Sequence, residues 1–419
     1  MAYDQETLRR IREGRKSFIA MAATYFLGVF NDNFFKQAGL LLAVAAGQSQ
    51  LQGTATWLFS LPFVLFSAYG GWVADRFAKK RVVILVKFLE LIAMMMGAYG
   101  ILTLDWNWIL AMVFLMGFQS TFFTPALNGS IPELYPAVYV TKANALLKLV
   151  TTAAILLGMA GAGFALDQQW IATDIEFGRW LVVVVVLFVS VTGVLASFWV
   201  HYRPAPGKRP PFPWSGPFES IRETYRIRRD PQLFLAICGD VFFYFLSLLA
   251  VLVINKLGID QLGYSKTVTS ILSVSLMVGV CAGALIASKI TSSDKWNHVL
   301  APAAFGMGGC LVISGLVTAS AVDSKLLLLL LVFVGTGICG GIFLIPLTAF
   351  IQVRPNADVK GRTIAAANFC GFSGMLVAGP IFSLLDRTFL PSSSMIILGC
   401  FGIIGAGVFY MVVRKVSDS

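Results

Sequence analysis

Long apolar runs separated by short polar segments dominate the chain. Each run approaches the roughly 20 residues that an α-helix needs to cross a bilayer, and the pattern occurs twelve times. The runs lie near residues 18–46, 54–74, 81–103, 107–127, 142–165, 180–200, 232–257, 267–290, 297–319, 325–350, 361–386 and 392–414. This pattern predicts an all-α polytopic membrane protein with twelve transmembrane helices.

The longest polar interruption, residues 201–231, divides the runs six and six. It begins with a proline-rich stretch and ends where Phe218, Ile221 and Tyr225 fall on one helical face beside several arginines. Such a pattern is typical of an amphipathic helix at a membrane surface, and a plain tether between the halves fits equally well. We predict three parts: an N-terminal six-helix half at 1–200, a cytoplasmic linker with an amphipathic helix at 201–231, and a C-terminal six-helix half at 232–419.

The two halves resemble copies of one another. Asp32-Asn-Phe-Phe in the first run is echoed by Asp240-Val-Phe-Phe in the seventh. The fourth and tenth runs both combine glycines with a proline, and the fifth and eleventh both continue into spaced glycines. Parallel six-helix repeats are typical of a transporter architecture that works by alternating access around a central site. We therefore predict two pseudo-symmetric halves around a central cavity.

Composition and charge narrow the function classes. Hydrophobic residues make up 57% and charged residues 13% of the chain, against about 25% charged in soluble domains. The net charge of +11 is dispersed between apolar runs, which argues against a nucleic-acid face. Most lysines and arginines lie on the side of both termini, so the positive-inside rule predicts cytoplasmic N- and C-termini.

Neither a cleaved signal nor a cysteine-based site is expected. The first seventeen residues are polar and basic, and the first apolar run is long, so we expect this run to stay as a signal anchor. The six cysteines include no Cys-x-x-Cys pair, so neither a disulfide framework nor a zinc site is predicted.

Polar side chains interrupt the first apolar run at residues 30–37, Phe-Asn-Asp-Asn-Phe-Phe-Lys-Gln. A charge near the middle of a membrane helix costs on the order of 2.5–3.5 kcal/mol, and such residues usually line a cavity. Asp32 and Lys36 are four residues apart and share a helix face. The stretch therefore predicts a polar site inside the bundle, with a structural ion pair as the alternative.

Other polar residues lie within the third, fourth, fifth and eleventh apolar runs. Lys87 and Glu90 are three residues apart and can pair with each other. Lys148 has no acid within a helical turn, so it requires a partner from another helix. The candidate partners are Asp32, Glu90 and Asp240. Three amides, which either face the cavity or link helices, are Gln119, Asn144 and Asn368.

The loop after the second run reads Gly71-Trp-Val-Ala-Asp75-Arg76-Phe-Ala-Lys79-Lys80-Arg81. It resembles the signature of the major facilitator superfamily, Gly-x-x-x-Asp-Arg-x-x-basic-basic, at every defining position. The resemblance implies the twelve-helix facilitator fold. Gly71 is expected to permit close helix approach, and Asp75 to cap the positive N-terminus of the eleventh helix as a conformational latch. An ordinary turn in a basic loop is the alternative. The expected latch residues are Gly71, Asp75, Arg76, Lys79 and Lys80.

The stretch Phe-Asn-Asp-Asn-Phe-Phe-Lys-Gln-Ala at 30–38, preceded by Tyr-Phe-Leu-Gly at 25–28, is similar to the bacterial lysophospholipid transporter family within that superfamily. The similarity extends over nearly the whole chain. It implies a flippase of the bacterial inner membrane that moves lysophosphatidylethanolamine and lysophosphatidylglycerol from the outer to the inner leaflet. It also implies sodium coupling, no organic cofactor, and an acyltransferase–acyl-carrier-protein synthetase as a cytoplasmic partner. We expect a monomer.

The site residues follow from this expected function. Ion coupling is assigned to Asp32 with Asn31 and Asn33, where a sodium ion is the one metal expected. The head-group residues are Lys36, Lys87, Glu90, Lys148, Asp240, Gln119, Asn144 and Asn368. The residues expected along the acyl tail are Phe34, Phe35, Phe242 and Phe243, which fit a lipid-facing surface equally well.

Two other functions are weighed against the flippase. A proton-coupled facilitator that exports drugs or other small amphipathic molecules is the alternative within transport, with Asp32 and Asp240 as proton carriers. A membrane-embedded acyltransferase of the His-x-x-x-x-Asp type is disfavoured, because the residues five positions after His201 and His298 are Pro206 and Ala303. We therefore predict a transporter and not an enzyme.

Overall fold

The computed structural model describes residues 5–128, 130–169, 176–200, 211–291, 297–321 and 325–417. These residues form fourteen α-helices, with turns between them and no strand. The helices are α1 (Gln5–Ala45), α2 (Leu51–Arg76), α3 (Lys79–Thr103), α4 (Trp106–Asn128), α5 (Ile131–Leu134), α6 (Ala137–Leu166), α7 (Phe177–Ser197), α8 (Pro217–Ile227), α9 (Pro231–Lys256), α10 (Lys266–Ile290), α11 (Leu300–Ala319), α12 (Lys325–Val353), α13 (Ala357–Thr388) and α14 (Pro391–Ser417). A π-helical turn, Leu257–Gln261, continues α9.

The predicted apolar runs coincide with long helices, which confirms the all-α class. Within the described residues, eleven helical segments are long and apolar enough to cross a membrane. α1 is not among them, because the polar residues 31–37 lower its apolar character. The exact number of twelve spans therefore stays a prediction, as does the cytoplasmic placement of both termini.

Local sequence signals define where several helices begin. Asp230 caps α9 by accepting a hydrogen bond from the Leu233 backbone N–H at 3.2 Å, with Pro231 at the first helical position. The same carboxylate binds the Arg354 Nε at 2.9 Å, three residues before α13 begins. Ser265 caps α10 through the Val268 N–H at 3.3 Å. Capping of this kind satisfies backbone donors that have no partner inside the helix.

Contacts divide the chain into two compact units. Unit 1 comprises Met1–Gly39 and Leu61–Pro217, and unit 2 comprises Leu40–Ser60 and Phe218–Ser419. The end of α1 and the start of α2 thus pack with the C-terminal helices. The division into 1–200, 201–231 and 232–419 stays a prediction, and the proline-rich start of its linker at 201–210 lies outside the described residues.

In unit 1, α1 and α6 run parallel. Near one end, a Cβ at Gly14 would lie 2.8 Å from the Leu134 carbonyl oxygen, just before α6 begins. Near the middle, a Cβ at Gly158 would lie 2.7 Å from the Phe30 carbonyl oxygen. Glycine is therefore required where the two backbones cross, and α6 packs directly beside the polar stretch of α1.

In unit 2, glycines bring α10 and α12 into backbone contact. Gly279 and Gly283 on α10 face Gly337 and Gly341 on α12, and each pair is four residues apart. A Cβ at Gly279 would lie 2.9 Å from the Cα of Gly337. Small residues at this spacing allow close helix packing in membranes, where van der Waals contact replaces the hydrophobic effect.

The helix α8 lies in the part of the linker where the sequence predicts an amphipathic helix. Phe218, Ile221 and Tyr225 are all exposed on one face. The opposite face packs within unit 2, where Ile227 is buried and the Thr224 hydroxyl lies 3.4 Å from the Cys370 thiol of α13. The position of α8 at a membrane surface stays a prediction.

Candidate functional site

The Asp32 carboxylate of α1 is bound by two side chains of α4 in unit 1. The Ser120 hydroxyl donates to Oδ2 at 2.9 Å, and the Gln119 Nε2 approaches Oδ1 at 3.4 Å. Gln119 also donates to the Ser120 hydroxyl at 3.0 Å. Asp32 itself is only partly buried. The carboxylate is therefore held by neutral donors and retains exposed surface.

A buried ion pair lies beside this group. Lys87 Nζ is 2.6 Å from Glu90 Oε2, as the spacing predicted, and both side chains are at most 1% exposed. The Asn31 Nδ2 donates to Glu90 Oε1 at 3.4 Å and to the Ser190 hydroxyl of α7 at 2.8 Å. The pair is thus tied to α1 and α7 through a single amide.

The Lys87 ammonium is enclosed on its remaining sides. It lies 4.8 Å from the centroid of the Phe123 ring, a cation–π contact. A Cβ at Gly28 would lie 2.7 Å from Nζ, and one at Gly193 would lie 3.4 Å away. A phosphate would therefore reach Lys87 only after Glu90 or Phe123 moved.

Two buried amide oxygens of the polar cluster accept no hydrogen bond within the described residues. They are Asn31 Oδ1 and Gln119 Oε1. Buried acceptors of this kind require an explanation, such as an ion or a water molecule. A carboxylate, a hydroxyl and two amide oxygens suit a hard cation that prefers oxygen ligands. Across the described residues, no cluster of three His, Cys, Asp or Glu side chains suits a transition metal.

The third residue predicted for ion coupling points elsewhere. Asn33 Nδ2 donates to the Val29 backbone carbonyl at 2.8 Å, one turn earlier on the same helix. The Asn33 Cβ lies on the side of α1 that faces Gly158 of α6. The structure therefore brings Asn31 and Asp32 into the polar cluster and leaves Asn33 outside it.

The predicted head-group residues in unit 1 separate into buried and exposed sets. Lys87, Glu90 and Gln119 are buried in the cluster, whereas Asn144 and Lys148 lie exposed on α6. Lys148 precedes Gly158 by ten residues, about 15 Å along the helix at 1.5 Å per residue. Since Gly158 contacts α1 beside Asp32, Lys148 lies well to one side of that carboxylate. Lys36, one turn after Asp32, is partly buried.

The acyl-tail residues of α1 are packed inside unit 1. Phe35 has no exposed surface and meets α3 at Gly97, while Phe34 is 2% exposed and lies against Gly161 of α6. An acyl chain would therefore have to displace a helix to reach Phe35. Their sequence neighbours are polar, and hydropathy alone does not show which way each ring points.

In unit 2, Asp240 is buried on α9 beside Gly371 of α13, whose Cβ would lie 3.8 Å from Oδ2. Asn368 is exposed on α13. Phe243 is buried, whereas Phe242 lines an open apolar cleft of about 600 Å³ between α9, α13 and α14. The sequence indicated Phe242 but not the walls that α13 and α14 contribute.

A second polar cluster joins the α1–α2 turn to the C-terminal helices of unit 2. Ser49 donates to Asp386 Oδ2 at 2.7 Å, and Lys256 Nζ pairs with Asp386 Oδ1 at 2.5 Å. The Asn255 Nδ2 donates to Gln52 Oε1 at 3.0 Å, and both of these amides are fully buried. This cluster involves residues that sequence reasoning did not single out.

Two adjacent glycines of α2 precede the basic loop. A Cβ at Gly71 would meet nothing within 4 Å, whereas one at Gly70 would clash with the Thr121 backbone of α4. Within unit 1 the close approach of α2 to α4 is therefore at Gly70, and the expected role of Gly71 stays a prediction. Asp75 is exposed, and its latch contact with α13 stays a prediction.

Two basic side chains of this loop, Arg76 and Lys80, make contacts within unit 1. Arg76 lies 5.0 Å from the Trp72 ring centroid, and Lys80 donates to the Phe198 carbonyl at 2.6 Å. Lys79 is partly buried.

Comparison with known proteins gives concordant results. Residues 17–380 match the family described as Major Facilitator Superfamily. The chain is 29% identical over 391 residues to the lysophospholipid transporter LplT of Klebsiella pneumoniae subsp. pneumoniae, covering 90% of each sequence. It is 27% identical to the lysophospholipid transporter LplT of Serratia proteamaculans, covering 88% of each. Its fold is similar to that of a D-xylose–proton symporter, with a TM-score of 0.72, 15% identity, and coverage of 94% and 97% of the two chains.

Proposed function

We propose that this chain, which belongs to the major facilitator superfamily, moves lysophospholipids from the outer to the inner leaflet of the bacterial inner membrane by alternating access. Lysophosphatidylethanolamine and lysophosphatidylglycerol are the proposed substrates. The observation that carries the substrate class is the similarity to proteins named lysophospholipid transporters across nine-tenths of the chain. The proposal includes twelve spans, cytoplasmic termini and a monomer.

Sodium is the proposed coupling ion, with Asp32 as its charged ligand. Support comes from two buried amide oxygens without a hydrogen bond among the described residues, Asn31 Oδ1 and Gln119 Oε1, and from the neutral donors Ser120 and Gln119 that approach the Asp32 carboxylate. The Ser120 hydroxyl oxygen is a fourth potential ligand. The buried Lys87–Glu90 pair holds Asn31 in place through the hydrogen bond to Glu90.

Head-group binding is assigned first to the polar residues that have accessible surface. These are Lys36 and Lys148, which supply positive charge for the phosphate. Asp240, which is buried on α9, supplies negative charge for an ethanolamine ammonium only once the site opens. Asn144 and Asn368 are exposed amides on α6 and α13. Lys87 and Glu90 join this set only if their pair opens. An acyltransferase–acyl-carrier-protein synthetase is proposed as the consumer of the delivered lipid.

The test uses the purified chain in liposomes with labelled lysophosphatidylethanolamine in the outer leaflet. Inward movement is followed with and without a sodium gradient for the intact chain, Asp32→Asn and Asp105→Asn. Asp105 is a matched carboxylate, since it caps the start of α4 through the Asn107 N–H, away from the cluster. We expect sodium to accelerate flipping in the intact chain and Asp105→Asn, and to have no effect in Asp32→Asn.

Each other outcome removes a defined part of the proposal. Flipping that ignores sodium in the intact chain removes the coupling ion and keeps the substrate. Flipping that follows a proton gradient supports the proton-coupled alternative. No flipping above protein-free liposomes, in a sample that remains monodisperse, refutes the lysophospholipid substrate.

A further inference from the structure

An open apolar cleft lies within unit 2, on the surface formed by α9, α13 and α14. Its volume is about 600 Å³, within the range of about 300–1,000 Å³ that small-molecule pockets occupy. Aromatic, aliphatic and small side chains form its walls, among them Cys238, Val241, Phe245, Cys370, Val377 and Phe401. All three helices are membrane-spanning candidates, so the cleft lies at the depth of the hydrocarbon core.

The cleft has the length and direction of a lipid chain. α9 and α13 run parallel, since Asp230 binds Arg354 near their starts and Lys256 binds Asp386 near their ends. The cleft follows α13 from residue 369 to residue 377, which is about 12 Å at 1.5 Å per residue. One leaflet contributes about 15 Å to the hydrocarbon core of a bilayer. The cleft therefore extends along most of one leaflet, parallel to its chains.

Apolar contact alone does not favour binding of a lipid in this cleft over its place in the bilayer. Lipid tails are as apolar as leucine side chains, so a chain that moves from bilayer to protein gains no hydrophobic free energy. Selective binding therefore requires a polar group of the protein near the end of the cleft, where the head group would lie.

Arg228 supplies such a group. Its guanidinium lies 5.6 Å from the ring centroids of both Tyr225 on α8 and Phe234 on α9, one turn before Cys238. α8 contacts the cleft wall through Thr224 and Cys370. Among the described residues no carboxylate lies within ion-pair distance of Arg228, whereas Arg226 pairs with Glu223 at 3.2 Å. The exposed Arg228 is free to bind a phosphate by charge-assisted hydrogen bonds.

We propose that this cleft binds the acyl chain of a lysophospholipid in the leaflet on the α8 side, with the lipid phosphate on Arg228. The charge pattern predicts that this leaflet is cytoplasmic, so the cleft serves the lipid after its transfer. The choice of a one-chain lipid rests on the proposed function.

Cys238 provides a direct reporter, because it is exposed and lines the cleft. A variant that keeps Cys238 and replaces the other five cysteines by alanine is placed in neutral-lipid nanodiscs. The rate of N-ethylmaleimide modification is measured with increasing lysophosphatidylglycerol. We expect the rate to fall at least fivefold at saturation. Neither glycerophosphoglycerol, which lacks the chain, nor an alkyl glucoside of equal chain length, which lacks the phosphate, should protect.

Two pairs of variants test the two ends of the proposed site. Arg228→Gln should abolish protection, whereas Arg222→Gln should preserve it, since Arg222 is an exposed arginine on α8. Val377→Trp should fill the cleft and remove the effect of lipid, whereas Leu384→Trp, two turns further along the same face of α13, should not. Elution as a single peak in size-exclusion chromatography shows that each variant is folded.

The outcomes separate this site from the proposed transport. Equal protection by the alkyl glucoside overturns the role of Arg228, and equal protection by diacyl phosphatidylglycerol overturns the assignment to one-chain lipids. Unchanged modification at saturating lysophosphatidylglycerol overturns the site altogether. Because this assay measures occupancy without transport, protection in a chain that does not flip lipid would refute only the proposed function.

Discussion

Removal of one member of the buried Lys87–Glu90 pair is expected to destabilise the protein more than removal of both. Both side chains are at most 1% exposed and their charged atoms are 2.6 Å apart. When one partner of such a pair is removed, the remaining buried charge costs about 3–5 kcal/mol. When both are replaced by apolar residues of similar size, the change is often neutral or stabilising.

The two single variants should differ in how much each destabilises the protein. In Glu90→Leu, the Lys87 ammonium keeps the Phe123 ring at 4.8 Å, a contact worth about 0.5–2 kcal/mol. In Lys87→Met, the contact that remains to the Glu90 carboxylate among the described residues is the long 3.4 Å hydrogen bond from Asn31. We therefore expect Lys87→Met to be the more destabilising single variant, near the upper end of the 3–5 kcal/mol range.

The assay is unfolding in mixed micelles, followed by circular dichroism, for the intact chain, both single variants and Lys87→Met/Glu90→Leu. We expect the double variant to lie within about 1 kcal/mol of the intact chain, because the charges leave together. Arg9→Gln serves as the control, since it breaks the Arg9–Glu13 pair on the exposed start of α1 and should leave the midpoint unchanged. A double variant whose loss of stability equals the sum of the losses in the two single variants would refute the reasoning.

Three further predictions concern other parts of the chain. Gly337→Leu should prevent folding of unit 2, because a Cβ there would lie 2.8 Å from an α10 backbone Cα. Gly309→Ala should be neutral, because a Cβ at Gly309 meets no described atom within 4 Å. The yield of monodisperse protein measures both effects. Asp386→Asn should remove the carboxylate that pairs with Lys256 and accepts from Ser49, and should therefore accelerate hydrogen exchange in the α1–α2 turn. An unchanged exchange rate would contradict a role for the ion pair in that turn. Lys148→Gln should weaken transport of anionic lysolipids severalfold. The thermal midpoint should not change, because the Lys148 side chain is exposed on α6. Transport equal to that of the intact chain would remove Lys148 from the head-group residues.

Features that depend on neighbouring residues in the sequence were predictable. The apolar runs predicted most helix ends to within about five residues, although α1 begins at Gln5 and not near residue 18. The three-residue spacing predicted the Lys87–Glu90 pair. The face shared by Phe218, Ile221 and Tyr225 gave the exposed side of α8. In each case the signal lies within one continuous segment of the chain, so no knowledge of the tertiary packing was needed.

Features that depend on how each helix is rotated were not predictable. Ser120 and Ser190 contact the polar cluster, yet isolated serines in apolar helices usually bind their own backbone and give no distinguishing signal. Within unit 1 the close approach of α2 to α4 occurs at Gly70, because the rotation of α2 is set by its packing against α4. The membership of residues 40–60 in unit 2 follows from long-range contacts that hydropathy does not encode.

The three polar residues that begin the α1 motif show why a sequence motif is not yet a ligand set. Successive residues of an α-helix point about 100° apart, since a turn contains about 3.6 residues. Asn31 accordingly contacts Glu90 and Ser190, Asp32 contacts Ser120 and Gln119, and Asn33 contacts its own helix backbone. A rotation of α1 that changes the ligands of Asp32 must therefore also move Asn31 relative to the Lys87–Glu90 pair. The motif joins a structural ion pair to the proposed coupling site through two adjacent residues, so the two sites can respond only together.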